Sequence, residues 1–130
     1  MAKLKFDEVG YWSEIKLDIV RKYAAAYCKI IKSQNRFNAI YVDAFSGAGK
    51  HFRKNTNDPV EGSPIVALKV LPPFDEFYFI DLDSQKLDHL KSLVGDRDDV
   101  HWLVGDANRR LIEDVYPNIR YERFDRALCP

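Results

Sequence analysis

Three aspartates, Asp43, Asp81 and Asp106, each stand at or just after the end of a short apolar run in this 130-residue chain. Apolar runs of this kind predict buried strands, and parallel strands carry their carboxyl ends to the edge where open α/β sheets bind ligands. We therefore expect the three carboxylates to line one edge together. A charge-assisted hydrogen bond to such a carboxylate contributes about 1.5–3 kcal/mol. This spacing predicts a pocket for a nucleoside-like ligand.

The first of these aspartates opens a glycine turn, Asp43-Ala44-Phe45-Ser46-Gly47-Ala48-Gly49. Gly47 and Gly49 can adopt positive φ angles, at which a Cβ would cost roughly 1–2 kcal/mol, and they let backbone N–H groups approach a ligand. In this interpretation Asp43 faces the ammonium group of an amino-acid-like ligand, and the glycines face its carboxylate or its sugar.

The second and third aspartates complete the predicted pocket. Asp81 is the expected acceptor for ribose hydroxyls, with Asp83 as a weaker rival, and Asp106 can accept from an adenine amino group. Leu82 and Ala107 supply apolar walls beside them. Taken singly, each aspartate is equally well explained as a turn or helix-cap residue.

Two other ligand classes use glycine turns. A nucleotide-binding P-loop needs a glycine where Ala44 stands and Ser or Thr where His51 stands, so that interpretation fails at two positions. A dinucleotide-binding turn needs a small residue at position 52, which is Phe52. That mismatch weakens NAD binding as an alternative but leaves it open.

The elements that must position these residues alternate along the chain. Apolar runs predict strands at 39–43, 77–80 and 100–104 and a fourth beginning at Arg126. Helices are predicted after Ser13, Ser63 and Ser84, with each serine as an N-cap, and before Pro117. The polar stretch 51–62 is predicted to be a loop. This alternation predicts a single α/β domain, residues 1–130, with a parallel sheet.

The first helix is the longest, and its apolar spacing predicts a core-facing stripe on one side. A less favoured alternative places Lys16 or Tyr23 of this helix over the ligand pocket. The predicted stripe consists of Trp12, Ile15, Ile19, Tyr23, Tyr27 and Ile30.

The bulk composition excludes several classes of protein. Lys+Arg and Asp+Glu are equal at 20 each, so net charge gives no attraction to nucleic acid or to membranes. The apolar runs are far shorter than the roughly 20 residues that a membrane helix requires. Cys28 and Cys129 lack metal-ligand spacing, and no secretory signal precedes them, which predicts reduced thiols in a cytoplasmic protein.

Two basic clusters nevertheless follow the predicted binding turns, and they form either a phosphate-contacting rim for nucleic acid or simply a solvated surface. The clusters are Lys50, His51, Arg53 and Lys54 after the glycine turn, and Arg109 and Arg110 after Asp106.

The glycine turn resembles motif I of class I S-adenosylmethionine (SAM)-dependent methyltransferases, and the chain as a whole resembles the three-Cys-motif partner protein family. This resemblance implies a Rossmann-like methyltransferase fold, SAM binding at Asp43, Phe45, Gly47 and the residues after the next two strands, and a link to a protein with a three-cysteine motif. The matching segments, in family order, are 11–17, 23–24, 41–49, 62–64, 79–83, 104–106 and 126–129.

The chain departs from this family at its end. In such proteins the fourth strand continues into an Asp-Pro-Tyr-type motif that faces the methyl group, whereas here Cys129 is followed by Pro130. We therefore expect the cofactor-binding half of a methyltransferase, inactive by itself and prone to self-association through an uncovered sheet edge. The competing hypothesis is a non-catalytic partner module.

Overall fold

The structure, a computed structural model, describes residues 8–9, 11–34, 36–53 and 59–130. The strands are β1 (Glu8–Val9), β2 (Asn38–Asp43), β3 (Lys50–Arg53), β4 (Pro59–Glu61), β5 (Glu76–Asp81), β6 (Val100–Val104) and β7 (Asp125–Leu128). The α-helices are α1 (Tyr11–Lys32), α2 (Ser63–Leu68), α3 (Ser84–Val94) and α4 (Ala107–Arg110). A π-helical turn, Leu111–Val115, and two 3₁₀ turns, Tyr116–Asn118 and Tyr121–Arg123, lead into β7.

The main sheet has four strands in the order β6-β5-β2-β7, and all of its neighbouring strands run parallel. The predicted α/β fold with a parallel sheet is confirmed. From β2 the chain moves outward through β5 and β6 and then returns to the other side of β2 with β7. The carboxyl end of β2 is therefore the point where the strand order reverses, and open α/β sheets bind ligands at such a point.

The two central strands, β2 and β5, are buried on both faces. Successive side chains of a strand point to opposite faces, so the two sets pack against different elements. On one face Tyr41 and Phe79 pack against α1, α2 and α3. On the other face Val42 and Ile80 pack against Val115 of the π-helical turn. This two-sided burial explains why the strands read as continuous apolar runs in the sequence.

The predicted core stripe of α1 is wrong at Ile19, Tyr23 and Ile30, which are exposed, whereas Tyr27 of the same stripe packs against the core. The helix also begins at Tyr11, before the predicted cap Ser13. Small residues such as Ala24 let a helix approach a sheet closely, so the large apolar side chains of α1 do not mark the face that packs on the sheet. The residues that α1 buries are Leu17, Val20, Ala24 and Cys28.

Two predicted N-caps are also wrong. Gly62 is the N-cap residue of α2. Ser63 is the first residue of the helix, and its hydroxyl donates a hydrogen bond to Asp43. Asp83 caps α3 by accepting a hydrogen bond of 2.9 Å from the backbone N–H of Gln85, so Ser84 is the first helical residue. The predicted end of α3 at Gly95, which has a φ of 82°, is confirmed.

The stretch predicted to be a loop contains a small second sheet. Strand β3 pairs parallel with β1 and antiparallel with β4, in the order β1-β3-β4. Residues 54–58 lie outside the described part of the chain. The alternating pattern of these short strands is too brief for periodicity to identify, so composition alone suggested a loop.

Candidate functional site at the end of the central strand

Asp43 is the last residue of β2, and its side chain is only 1% exposed. A buried carboxylate is costly unless charged or hydrogen-bonding groups surround it. Three side chains do so. Lys16 of α1 places its Nζ 3.2 Å from Oδ1, the Tyr41 hydroxyl donates to Oδ2 over 2.8 Å, and the Ser63 hydroxyl donates to the same oxygen. The strand, the long helix and the start of α2 therefore converge on one carboxylate.

Tyr41 and Asp43 are two positions apart on β2, so both side chains point to the face covered by α1 and α2. Burial raises the pKa of the Tyr41 hydroxyl, and the charge of Asp43 and the hydrogen bond to it raise the pKa further. The hydroxyl consequently keeps its proton and acts as a donor to Asp43. This arrangement holds the carboxylate oxygens in fixed positions.

The glycine turn after Asp43 has the backbone that the sequence predicted, with φ angles of 72° at Gly47 and 85° at Gly49. Its N–H groups, however, are largely occupied. Three consecutive ones are bound inside the protein: Phe45 N to Asp43 Oδ1 (3.3 Å), Ser46 N to the Ile80 carbonyl (2.9 Å) and Gly47 N to Asp81 Oδ2 (2.9 Å). Because these N–H groups are bound within the protein, the turn serves to position side chains and is less suited to binding a phosphate.

Gly49 faces the helices and not the pocket edge. A Cβ on this residue would lie 2.6 Å from Cδ1 of Leu90 in α3. The neighbouring carbonyl of Ala48 lies 2.9 Å from Nδ1 of His89, which also belongs to α3. The role of Gly49 is thus to let the turn pack tightly on α3.

Asp81 ends β5 and is partly exposed. Each of its carboxylate oxygens accepts one backbone N–H bond, from Gly47 over 2.9 Å and from Asp83 over 2.8 Å. A carboxylate oxygen has two lone-pair sites, so each oxygen retains one for an external donor. Asp81 is therefore fixed in position and still able to bind a pair of hydroxyl groups.

The strand register sets the spacing between the two carboxylates. Asp43 of β2 is paired with Phe79 of β5, so Asp81 lies two residues further along the strand direction. With a rise of about 3.3 Å per residue and about 4.8 Å between strands, the two Cα atoms lie about 8 Å apart. One ligand that contacts both carboxylates must therefore be elongated.

Apolar side chains are exposed beside Asp81. Phe45 in the glycine turn is 75% exposed and Leu82 is 77% exposed, as the predicted pocket requires. Val104, which pairs with Asp81 across β5 and β6, is 50% exposed and was not predicted. Single exposed apolar residues are ordinary, but three at the carboxyl ends of adjacent strands form a surface that a planar apolar group can cover.

Asp106 and Ala107 lie at the start of α4. Asp106 accepts a hydrogen bond of 3.0 Å from the backbone N–H of Arg109 and is thus the N-cap of that helix. Ala107 is its first residue and is half-buried. For Asp106 the structure shows the capping role that the sequence left open as an alternative. Asp106 is nevertheless exposed at the same edge of the sheet.

The second basic cluster forms ion pairs with acidic residues of the π-helical turn that follows α4. Arg109 pairs with Glu113 at 3.2 Å, and Arg110 pairs with Asp114 at 2.8 Å. The side chains of Lys50, His51 and Arg53, and all of Lys54, lie outside the described part of the structure. The described residues therefore give little support to the predicted phosphate-contacting rim.

Cys129 follows β7 on the other side of β2 from Asp81, because Leu128 pairs with Tyr41. Partial burial of the thiol raises the pKa of Cys129, the carboxylate of Asp43 adds to the rise, and Lys16 opposes it. The thiol therefore belongs to the surroundings of the Asp43 carboxylate and stays protonated at neutral pH.

Comparison with known proteins gives a fold and no family. No family model and no curated protein matches the chain. Among solved structures, the chain is similar to protein LPL1258 from Legionella pneumophila strain Philadelphia 1, which is assigned to the family DUF519, with a TM-score of 0.51 and 15% sequence identity. The match covers 73% of this chain and 49% of that protein, so the chain spans about half of its length. At this identity the similarity shows the fold alone.

The sequence predicts no membrane-spanning helix, because its apolar runs are too short. No helix within the described ranges combines the length and the apolar character needed to cross a bilayer.

Proposed function

We propose that this chain is the SAM-binding half of a Rossmann-like, class I methyltransferase of the three-Cys-motif partner type, with an acceptor still to be identified. The observation that carries the proposal is the contact of the buried Asp43 with Lys16 at the point where the strand order reverses. A second oriented carboxylate belongs to Asp81, whose Cα lies about 8 Å from that of Asp43. The topology, the glycine turn and the exposed apolar residues support the same ligand.

The Asp43–Lys16 pair suits the amino-acid end of SAM. Asp43 can accept from an ammonium group, and Lys16 can donate to a carboxylate, so a zwitterion replaces one internal charge pair with two new ones. Lys16 is suited to this role because its side chain is 32% exposed, whereas that of Asp43 is 1% exposed. The glycine turn contributes less to carboxylate binding than the sequence predicted, because three of its N–H groups are occupied.

The nucleoside end suits the outer part of the site. The free lone pairs of Asp81 can accept from the two ribose hydroxyls, and Phe45 and Leu82 can cover the faces of the base and the sugar. Asp106 lies at the same edge and can accept from the adenine amino group in addition to its capping bond. A phosphate has no comparable set of donors among the described side chains at this edge of the sheet, which disfavours the NAD and nucleotide alternatives.

Bound SAM supplies an electrophilic methyl group on its sulfonium sulfur. The residues described here hold and orient the cofactor, so their contribution to catalysis is positional. The residues that bind the acceptor and remove its proton are not among those that we assign.

Calorimetric titration of SAM into the Asp81→Asn and Asp83→Ser variants tests the ribose assignment. Asp81→Asn keeps an oxygen for a backbone N–H but removes the charge, and it should weaken SAM binding about tenfold or more. Asp83→Ser keeps an N-cap for α3 and should bind SAM as the wild type does. Equal affinities of wild type and Asp81→Asn would refute the assignment.

Competition with NADH separates the cofactor classes. The proposal requires SAM to bind and NADH to leave its affinity unchanged. If NADH displaces SAM, or binds where SAM does not, the dinucleotide alternative replaces this proposal.

A second candidate function is a non-catalytic partner module. It is favoured by the exposed apolar side chains of α1 and by β7, which has β2 as its one neighbour in the described part of the sheet. This candidate requires the chain to form a stable complex with itself or with a three-cysteine-motif protein and to show no SAM affinity. Light scattering that gives a monodisperse, SAM-binding monomer would exclude it.

A further inference from the structure

A second group of side chains, at the opposite end of the sheet, alternates arginines with aromatic rings. The guanidinium carbon of Arg126 lies 4.2 Å from the ring centre of Tyr121 and 4.5 Å from that of Phe37. Phe37 meets the ring of Phe124 edge to face at 5.6 Å, and Arg36 lies 4.7 Å from the centre of that ring. We call these five residues, Tyr121, Arg126, Phe37, Phe124 and Arg36, the arginine–aromatic stack.

The two arginines of this stack are held by rings and not by carboxylates. Ion pairs in the described part of the chain include Arg123 with Asp125 at 3.7 Å but none with Arg36 or Arg126. Arg126 uses one nitrogen, Nη1, to donate to the carbonyls of Tyr121 and Asp125. A guanidinium has five N–H donors in one plane, so stacking on a ring leaves donors at its rim for an anion.

Tyr121 leaves one end of the stack open. One face of its ring covers Arg126, and the residue as a whole is 76% exposed. Such a ring has room for another planar group on its outer face. The backbone is also unusual here, since Phe124 has a φ of 62°, which is uncommon for an aromatic residue.

The local charge is positive although the chain as a whole is neutral. The segment from Arg120 to Arg126, together with Arg36, holds four arginines against Glu122 and Asp125, and the Asp125 side chain is only 9% exposed. A positive surface with stacked rings has the two elements that recognise single-stranded nucleic acid, namely cations for the backbone and π-faces for the bases.

We propose that the arginine–aromatic stack binds single-stranded nucleic acid, with a base on the open face of Tyr121 and neighbouring phosphates on Arg36 and Arg126. This site is separate from the SAM site, because it lies at the amino ends of β2 and β7, whereas Asp43 lies at the carboxyl end of β2. The inference therefore stands whether or not the chain binds SAM.

A single strand fits these observations better than a duplex or an acidic peptide. A base in a duplex is stacked on its neighbours and cannot cover Tyr121, whereas a base in a flexible strand can. Carboxylates of an acidic peptide would use the arginines but leave the open ring without a partner.

Fluorescence anisotropy with a labelled oligouridylate of about 12 nucleotides tests the proposal on the 130-residue chain. Tyr121→Ala should weaken binding roughly tenfold, whereas Tyr121→Phe, which keeps the ring, should bind within about twofold of the wild type. Tyr116→Ala removes an exposed tyrosine outside the stack and should have no effect. Circular dichroism melts should show that all three variants fold.

The salt dependence gives an independent measurement. Arg36→Gln should weaken binding and reduce the slope of log K against log salt by about 0.7, the value for one phosphate contact on a single strand. The proposal is overturned if the wild type binds no single strand, or if Tyr121→Ala and Tyr121→Phe bind equally. It is also overturned if a duplex or a polyglutamate peptide binds the wild type as tightly as the single strand does.

Discussion

The ammonium of Lys16, in the second turn of α1, lies 3.2 Å from Oδ1 of Asp43, the last residue of β2. The two residues are 27 positions apart, and their contact ties the long helix to the edge of the sheet where ligands are expected. This contact makes Lys16 part of the candidate site. Variants of Lys16 can separate its role in stability from its role in ligand binding.

The first prediction concerns the coupling of this pair. Lys16→Met leaves the buried Asp43 charge without its cation, whereas the double variant Lys16→Met/Asp43→Asn leaves no buried charge unpaired. In urea unfolding, the double variant should therefore lose less stability than the two single variants together, by about 1–2 kcal/mol. Single effects that add to within about 0.3 kcal/mol would show that the two groups do not interact in solution.

The second prediction concerns the ligand. If Lys16 binds the carboxylate of SAM, Lys16→Met should weaken SAM binding about tenfold, the effect of one charge-assisted hydrogen bond. Methylthioadenosine lacks the amino-acid end, and its affinity should change little. Lys16→Arg retains the charge and is the matched control. An equal loss of affinity for both ligands in calorimetry would mean that Lys16 acts only by stabilising the site.

The edge of this site could be predicted from the sequence, but its interior could not. The positions of Asp43 and Asp81 follow from local patterns. A buried parallel strand appears in the sequence as a continuous apolar run, and each of these aspartates is the first polar residue after such a run. Ser63 was interpreted as a cap because it precedes a proline, and only the packing of α2 on β2 shows that its hydroxyl reaches Asp43.

The sequence placed Lys16 over the pocket only as a less favoured alternative, for a related reason, although its Nζ lies 3.2 Å from Asp43 Oδ1. The core stripe of α1 was predicted from large residues such as Ile19 and Tyr23. The helix instead packs on the core through Val20 and Ala24. Lys16 lies four residues before Val20 and so shares its side of the helix. Helix contacts set by small residues are fixed by the tertiary structure and leave little signal in a single sequence.

The third prediction compares two glycines that share a positive φ. Gly49 and Gly95 have φ angles of 85° and 82°, but an added Cβ would lie 2.6 Å from Leu90 Cδ1 at Gly49 and within 4 Å of nothing at Gly95. Gly95→Ala should therefore cost only the backbone strain, about 1–3 kcal/mol. Gly49→Ala should cost about 1–3 kcal/mol more, because it also overpacks the contact with α3.

The measurement is the free energy of unfolding in urea for both variants. Equal losses of stability would show that the turn moves away from α3 without cost, in which case Gly49 would not be a packing residue. SAM affinity measured on folded Gly49→Ala would then report any displacement of Gly47 and Asp81.

The fourth prediction concerns alkaline pH. Cys28 is fully buried in α1, and burial raises the pKa of its thiol from 9.0 to about 11, with Lys32 opposing the rise and Asp75 adding to it. Between these two values the unfolded chain loses the thiol proton and the folded chain keeps it. The unfolded state then binds fewer protons, so stability should fall as the pH rises from about 9 to about 11, by roughly 2–3 kcal/mol in total.

Urea unfolding at a series of pH values measures this effect. Cys129→Ser is the reference, because the thiol of Cys129 also has a raised pKa and would add to the fall. In Cys28→Ala/Cys129→Ser, which lacks both thiols, the fall should begin about one pH unit later than in this reference, with the titration of tyrosines such as Tyr41, whose pKa burial also raises. If the double variant loses stability from pH 9 in parallel with Cys129→Ser, the thiol of Cys28 is ionised in the folded chain. Helix α1 must then open enough to admit water between Cys28 and the sheet, and the contact that Lys16 of this helix makes with Asp43 of β2 would weaken with it.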